Sequence, residues 1–145
     1  MSKQIIAYGA LVERSTDGIT YTKIPECKSI AVPAVSTEYL DATSFDSPDQ
    51  FREYVKGLKD AGEFTVSAGY TANGYEQQIA DQASDEPIYY RTTFRPAPGQ
   101  ASGDVFTFRA FPTPSVEGDD VGSLIGMTIT LRTSGGLGWQ KGAAA

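Results

Sequence analysis

Apolar and polar side chains alternate along much of this chain, and no other feature limits its possible folds as strongly. The run EFTVSAGY places Phe64, Val66, Ala68 and Tyr70 on one side of an extended backbone and polar residues on the other. A period of two is the signature of a half-buried strand, and one polar face per strand is typical of antiparallel sheets. The sequence therefore predicts a mostly β protein, an antiparallel sandwich or barrel, with strands at 5–13, 19–24, 34–41, 53–57, 63–70, 88–95, 104–111 and 125–132.

One segment, NGYEQQIADQA, departs from this period and predicts a single short α-helix. Asn73 is the predicted N-cap, and Glu76 stands three residues later, which is the spacing of a capping box. Tyr75, Ile79 and Ala83 recur every four residues, so we expect them to form the face that packs on the sheet.

A long inter-strand loop joins the predicted strands at 34–41 and 53–57. It is rich in turn formers, yet it carries two phenylalanines, Phe45 and Phe51. The chain has 145 residues, so we expect one domain spanning 1–145, with loosely ordered termini at 1–4 and 134–145.

Several classes of function are disfavoured by composition. The chain has no histidine, which removes the usual general base and metal ligand. Its one cysteine, Cys27, lies beside an apolar strand and is expected to be an inert, buried thiol. A catalytic pair of carboxylates stays open, because two such residues need not be close in sequence. With no other signature of catalysis, we expect a protein that is not an enzyme and takes no cofactor or metal.

The net charge and the length of the apolar runs disfavour further classes of protein. The net charge is -6 and the chain shows no basic stripe, which argues against a protein that reads nucleic-acid sequence. No apolar run approaches the roughly 20 residues of a membrane span, and the run in MSKQIIAYGA is too short for a secretory signal. We therefore expect a protein that stays in the cytoplasm where it is made and has no membrane partner.

Two short motifs, DATS at 41–44 and GLKDAGE at 57–63, flank the long loop and lead into the next strand. In this order, followed by a helix and further strands, they resemble the major tail tube proteins of long, non-contractile phage tails (the lambda-like type) and of related gene transfer agents. The resemblance covers about residues 5–133. It implies a β-sandwich flanked by a helix, and subunits that form hexameric rings which stack into a hollow tube.

The same resemblance implies a place and partners for the chain. It would be a structural protein of the virion tail, with copies of itself, the tape measure protein, the tail terminator and the distal tail proteins as partners. Double-stranded DNA would pass through the lumen during genome ejection without sequence-specific binding.

The resemblance also implies roles for particular residues. The long loop would contact the neighbouring ring, so both phenylalanines would be exposed in the monomer and buried on stacking; the alternative is that they fold back onto their own sheet. The strands at 34–41 and 63–70 lack prolines, so their edges would pair between subunits. The predicted inter-ring contact residues are Phe45, Asp46, Ser47, Pro48, Asp49 and Phe51, and at least two of the acids Glu38, Asp41, Glu53 and Glu63 are predicted to face the lumen.

Two other functions remain to be separated from this one. The first is a tube subunit of a related injection machine, such as the haemolysin-coregulated proteins of type VI secretion. The second is a monomeric immunoglobulin-like adhesion or carbohydrate-binding module, which would need a closed surface and would not polymerise.

Overall fold

The computed structural model describes residues 2, 4–118 and 120–145, so Met1, Lys3 and Asp119 lie outside the described residues. One α-helix and a short 3₁₀ turn at Pro48–Gln50 accompany the strands in this part of the chain. The elements in chain order are β1 (Leu11–Ser15), β2 (Thr22–Lys23), β3 (Ser36–Asp41), β4 (Tyr54–Asp60), β5 (Glu63–Gly69), α1 (Ala72–Gln82), β6 (Ile88–Thr93), β7 (Val105–Glu117), β8 (Gly126–Thr133) and β9 (Gly138–Gln140).

The body of the protein is a seven-stranded antiparallel sheet that nearly closes on itself. Its strand order is β2-β1-β6-β7-β8-β5, and β9 pairs with the first residues of β7. Residues 24–29 leave the β2 edge and reach the β5 edge, where the Lys28 N–H donates to the Ser67 carbonyl at 2.7 Å and the Gly69 N–H donates to the Glu26 carbonyl at 2.8 Å. Joining the two edges in this way protects backbone groups that an open sheet would leave unpaired. The predicted mostly β, antiparallel fold with one helix is confirmed.

The core lies inside this curled sheet and is built by the alternation that the sequence shows. Val66, Ala68, Met127, Ile129 and Leu131 from the neighbouring strands β5 and β8 are all buried. Tyr90 of β6 stacks on Phe108 of β7, and Phe64 meets the same ring edge-on. Pairs of this kind add about 0.5–1.5 kcal/mol to the burial of their area.

Helix α1 packs on the sheet through a different face from the one the sequence predicts. Thr71 is the N-cap, and its hydroxyl accepts from the Gly74 N–H at 3.1 Å, so the predictions of Asn73 as cap and of an Asn73–Glu76 capping box are wrong. Gly74 fits against Thr71 and Pro25 because it has no side chain; a Cβ there would lie 2.7 Å from the Thr71 hydroxyl oxygen.

The buried residues of the helix are Gly74, Gln78 and Asp81. Of the three residues predicted to face the sheet, Tyr75 packs against the core, whereas Ile79 and Ala83 are exposed. On this inner side the guanidinium of Arg14 in β1 donates to the Asp81 carboxylate. Burial raises the pKa of Asp81, and the arginine opposes that shift. A long-range ion pair therefore accompanies the burial of Asp81 on the inner side of α1.

Strand bounds differ from the prediction at several places. The Ala10 N–H donates to the Ala7 carbonyl, and this turn keeps residues 5–10 out of β1. The predicted hairpin turn before β2 is present, with Gly18 at φ 76°. Strand β4 continues past Gly57 to Asp60, and β7 continues through Pro112 and Pro114 to Glu117.

Strand β7 tolerates its prolines because of where they lie. Residues 110–117 pair with β8 on one side, and β6 pairs only as far as Ala110 on the other. Within the described residues, the second side of 111–117 has no strand partner, so the missing proline N–H groups leave no ladder bond unmade on that side.

The C-terminal stretch 134–145, for which we expected loose order, is partly a strand. Residues 138–140 pair with 105–107, and beyond them the Gly142 N–H donates to the Asp104 carboxylate at 2.8 Å. These contacts hold the end of the chain beside the start of β7.

Candidate assembly surface

Strands β3 and β4 form a separate two-stranded sheet that projects from the body; together with their connecting loop we call residues 36–60 the arm. Both strands pair only with each other in the part of the chain that the structure describes. A two-stranded hairpin alone is marginally stable in water. At its base, the Asp60 carboxylate lies 3.4 Å from the Arg132 guanidinium of β8, which ties the arm to the body.

Both faces of the arm expose apolar side chains. Tyr39 and Tyr54 lie on one face, with exposures of 61% and 57%, and Leu40 and Val55 lie on the other, with exposures of 51% and 55%. A strand that packs on its own protein buries one face and leaves the other polar. Apolar side chains exposed on both faces make the arm a candidate interaction surface.

The loop of the arm points its two aromatic rings into solvent. Phe45 has a relative exposure of 109% and Phe51 of 72%. The alternative that both rings fold back onto their own sheet is therefore not what the structure shows. Asp49 and Gln50, between them, have left-handed backbone with φ of 55° and 63°, a conformation that costs a non-glycine residue free energy.

Hydrogen bonds give the base of this loop a definite shape. The Ser47 hydroxyl donates to the Glu53 carboxylate at 2.9 Å, and the Thr43 hydroxyl accepts from the Glu53 N–H at 3.0 Å. The pKa of Asp41 is lowered, chiefly by hydrogen bonding to Thr43 and to a lesser degree by Arg52, which lies 3.5 Å away. These contacts join the two ends of the loop at its base, and both phenylalanines lie outside them in solvent.

The four acids predicted to face a lumen are all exposed, but they do not share one surface. Glu38 lies over Gly57, where a Cβ would be 3.3 Å from its carboxylate oxygen, whereas Asp41 is three residues further along β3 and so points to the opposite face. Glu53 is bound to the loop through Ser47, and Glu63 lies on β5 opposite Arg132. One face of β3 can therefore present only one of Glu38 and Asp41.

The edges predicted to pair between subunits are only partly available. The outer edge of β3 has no partner among the described residues. The second half of β5 is covered by residues 26–29 through the two bonds that close the sheet, because the chain after β2 crosses over it. The expectation of a fully free 63–70 edge is therefore wrong.

Other kinds of site find little support in the described residues. They contain no group of three or more His, Cys, Asp or Glu side chains placed to hold a metal ion. The Cys27 thiol donates to the Ser29 carbonyl, and burial raises its pKa, which disfavours the reactive thiolate. No helix in this part of the chain has the length and apolar character that crossing a membrane requires.

We compared this chain with known protein families, curated proteins and solved structures, and only the solved structures match it. Neither the protein-family models nor the curated proteins give a match to this sequence. Solved structures do. A chain of the six-fold symmetrised cryo-EM structure of the anti-feeding prophage baseplate has a TM-score of 0.72 and 14% identity, covering 97% of this chain and 98% of that one.

Two further structures match to the same extent. One is the tail of an empty gene transfer agent particle with C6 symmetry, with a TM-score of 0.71, 13% identity and coverage of 94% and 99%. The other is the extended sheath–tube complex of an extracellular contractile injection system, PVC, with a TM-score of 0.71, 16% identity and coverage of 97% and 94%. This chain therefore has, from end to end, the fold of chains in these tail and tube structures.

Proposed function

We propose that this protein is the structural subunit of a tail tube, in which copies form hexameric rings and the rings stack into a hollow cylinder. The observation that carries the proposal is the end-to-end structural match, at nearly equal chain length, to chains of six-fold tail assemblies. A shared fold does not by itself define a function, and the arm supplies the independent support.

The arm fits a subunit that is completed by its neighbours. An apolar side chain gains roughly 1.5–3 kcal/mol when it passes from water to a buried contact, and seven large ones on the arm are exposed: Tyr39, Leu40, Phe45, Phe51, Tyr54, Val55 and Leu58. In a stacked tube the loop 45–51 contacts the adjacent ring, and the free edge of β3 continues the sheet of a neighbour. Holding this surface in a thin projection lets one copy reach another without unfolding its own core.

The kind of particle is a second question. The sequence motifs resemble the lambda-like, non-contractile type, and one matched structure is a gene transfer agent tail. Another is a sheath–tube complex of a contractile injection system, which favours the alternative of a tube subunit in an injection machine. A monomeric adhesion or carbohydrate-binding module would leave the apolar arm in water, and so fits the structure less well.

Electron microscopy of the purified protein tests the proposal. Negative staining across a concentration series should show rings about one subunit thick and, at higher concentration, tubes with six-fold end views. A variant lacking residues 45–51 serves as the matched control, which should keep the body folded and lose the tubes. Sedimentation that finds only monomer at high concentration, with and without salt, would contradict the proposal.

In our proposal the tube conducts double-stranded DNA through its lumen. Its protein partners are the tape measure protein, the tail terminator and the distal tail proteins. DNA carries one negative charge per about 1.7 Å of its axis, so a basic wall would retard it along the whole tube. We expect at least two of Glu38, Asp41, Glu53 and Glu63 to face the lumen, with Glu38 and Asp41 on different surfaces.

Single Glu→Lys and Asp→Lys changes show which of these four acids face the lumen. At a lumen position the lysine should leave tube assembly intact and slow genome ejection from assembled particles, whereas Glu→Gln at the same position should slow it far less. Ejection that is equally fast in all four lysine variants would refute the placement without refuting the tube.

A further inference from the structure

The outward side of α1 carries apolar residues that a helix of this kind normally buries. Ile79 and Ala83, which the sequence predicted to face the sheet, are exposed, and Ile79 is 42% exposed. The inner side buries Gln78 and Asp81 instead. An amphipathic surface helix usually turns its apolar side to the core, so this arrangement leaves an apolar side without a partner in the same chain. We call it the outer face of α1, and its exposed residues, three or four positions apart, are Ala72, Glu76, Ile79 and Ala83.

The charge on this part of the protein is acidic. Residues 72–86 include four acids and no lysine or arginine. Asp81 is buried in its ion pair with Arg14, whereas Glu76, Asp85 and Glu86 are exposed. The outer face of α1 is therefore apolar, with one acid on it and two more just beyond the C-terminal end of the helix.

One face of the arm is aromatic and basic. Side chains that pair across two strands share a face of the sheet, and the register pairs Tyr39 with Lys56 and Asp41 with Tyr54. The Asp41 carboxylate also forms an ion pair with Arg52, at 3.5 Å. We call this side of the arm the tyrosine face, with the residues Tyr39, Asp41, Arg52, Tyr54 and Lys56.

Lys59 adds to the positive charge of the tyrosine face. It pairs with Thr37, which lies two residues before Tyr39 in β3 and so points to the same side. The other side of the arm carries the acid Glu38 and the aliphatic Leu40. The two sides of the arm therefore differ in charge, and the tyrosine face is the one that suits an acidic partner surface.

Within one copy, the tyrosine face does not cover the outer face of α1, since Tyr39 is 61% exposed and Ile79 is 42% exposed. The base of the arm is held in place. The Gly62 carbonyl accepts from the N–H and the hydroxyl of Thr133 in β8, at 3.1 and 2.6 Å, and the Gly62 N–H donates to the Asp60 carboxylate at 2.9 Å. These bonds fix the direction in which the arm leaves the body, so its tyrosine face is open to another copy.

We propose that the tyrosine face of one copy packs on the outer face of α1 of a second copy of this chain, with Lys56 and Lys59 facing the acids of residues 76–86. The inference rests on the proposed tube function and deepens it by naming the surface that receives the arm. Arm and helix are different surfaces, so the contact is heterologous and continues from copy to copy until a ring closes. The opposite charges orient the approach. This contact covers Asp41 and leaves the side with Glu38 free to face the lumen.

Disulfide trapping tests the contact directly. In a Cys27→Ser background, a protein with Lys56→Cys is mixed with a mass-tagged protein with Ala83→Cys and oxidised. The expected result is a mixed disulfide between the two chains at concentrations where assemblies form. The matched control replaces Lys56→Cys by Val55→Cys, the preceding residue on the other side of the arm, and should give little mixed product.

A chain that carries both Lys56→Cys and Ala83→Cys separates a contact between copies from a contact within one copy. We expect crosslinked dimers and larger oligomers when it is oxidised. A monomer closed by an internal disulfide would overturn the proposal.

Coupling between substitutions provides a readout that does not depend on oxidation. Tyr54→Ser and Ile79→Ser change side chains that are exposed in the monomer, and each should raise the concentration needed for assembly roughly three- to tenfold, since burial is lost. The double variant should lose less than the product of the two single losses, because the two side chains share one contact. Lys56→Glu and Glu76→Lys should each weaken assembly, and together they should restore part of the loss.

The outcomes separate the two proposals. Tubes that form at the parent's concentration in Tyr54→Ser and Ile79→Ser, with no mixed disulfide above the control, would overturn this contact and leave the tube function standing. Single losses that simply multiply in the double variant would also count against the contact. Background protein that remains monomeric at every concentration would overturn both proposals.

Discussion

Changing Phe45 and Phe51 together to serine should prevent stacking while leaving the monomer folded. Both rings lie outside the core, with exposures of 109% and 72%, so the body loses no buried contact. Exposed substitutions of this kind usually change the free energy of unfolding by no more than about 0.5 kcal/mol. The thermal midpoint of the double variant should therefore match that of the parent.

The effect on assembly can be estimated from the same exposures. Burying a phenylalanine ring fully contributes roughly 1.5–3 kcal/mol. Phe45 can gain all of this and Phe51 about three quarters of it, because 72% of its surface is still exposed in the monomer. The pair then contributes roughly 2.5–5 kcal/mol per copy, which corresponds to a roughly 60- to 4,000-fold weaker contact between subunits in the double variant.

The assay is the threshold concentration at which tubes pellet, measured beside the thermal midpoint from circular dichroism. Ile19→Ser is the control, because Ile19 is 84% exposed in the β1–β2 turn and lies outside the arm. It should leave the threshold where it is in the parent. If the double variant forms tubes of full length at the parent's threshold, the loop is not the stacking element and the reasoning fails.

Three further predictions concern the monomer. Thr71→Ala should lower the free energy of unfolding in urea by about 1 kcal/mol, whereas Asn73→Ala should have a smaller effect; equal losses would contradict the cap that the structure shows. Asp81→Ala leaves the buried Arg14 guanidinium without its partner and should cost about 3–5 kcal/mol, while Arg14→Met with Asp81→Leu should be much less harmful; a double variant as unstable as the single would count against this account. The pKa of Asp17 is held at about 2, mainly by the backbone N–H two residues later and then by the Ser15 hydroxyl. Because this folded value lies below the ordinary one of 3.8, the contribution of Asp17 to stability is complete above about pH 4 and is lost as the pH falls toward 2. Carbon-13 NMR of the carboxyl should find a midpoint near 2, and a midpoint near 4 would refute the hydrogen-bonded turn.

Local sequence was sufficient to locate the strands that build the core, though not their bounds and not β9. Alternation is a property of consecutive residues, since each side chain along a strand points opposite to the one before it. It placed Val66, Ala68, Met127, Ile129 and Leu131 in the core and Phe64, partly buried, against them. Tyr70 and Ile125, on the same predicted faces, are exposed. The exposure of the two loop phenylalanines, which the family resemblance implied, is confirmed, and the alternative that they fold back onto their own sheet is wrong.

The helix face was decided by a contact that local sequence does not contain. Apolar spacing favoured Ile79 as the buried residue, yet Gln78 and Asp81 are the buried ones. The partner of Asp81 is Arg14, 67 residues earlier in the chain. The Asp81 carboxylate is buried where this hydrogen-bonding partner meets it, and only the folded chain brings Arg14 beneath the helix.

The surfaces for assembly depend on register in the same way. Glu38 and Asp41 were grouped by charge, but Glu38 lies over Gly57 whereas Asp41 pairs with Tyr54 on the other face. The sequence predicted a free edge on β5, but residues 26–29 form hydrogen bonds with the second half of that edge. Sequence determined which residues can lie in strands, while pairing across the sheet decided which of their side chains and edges another copy can reach, because strand register is set by contacts between residues distant along the chain.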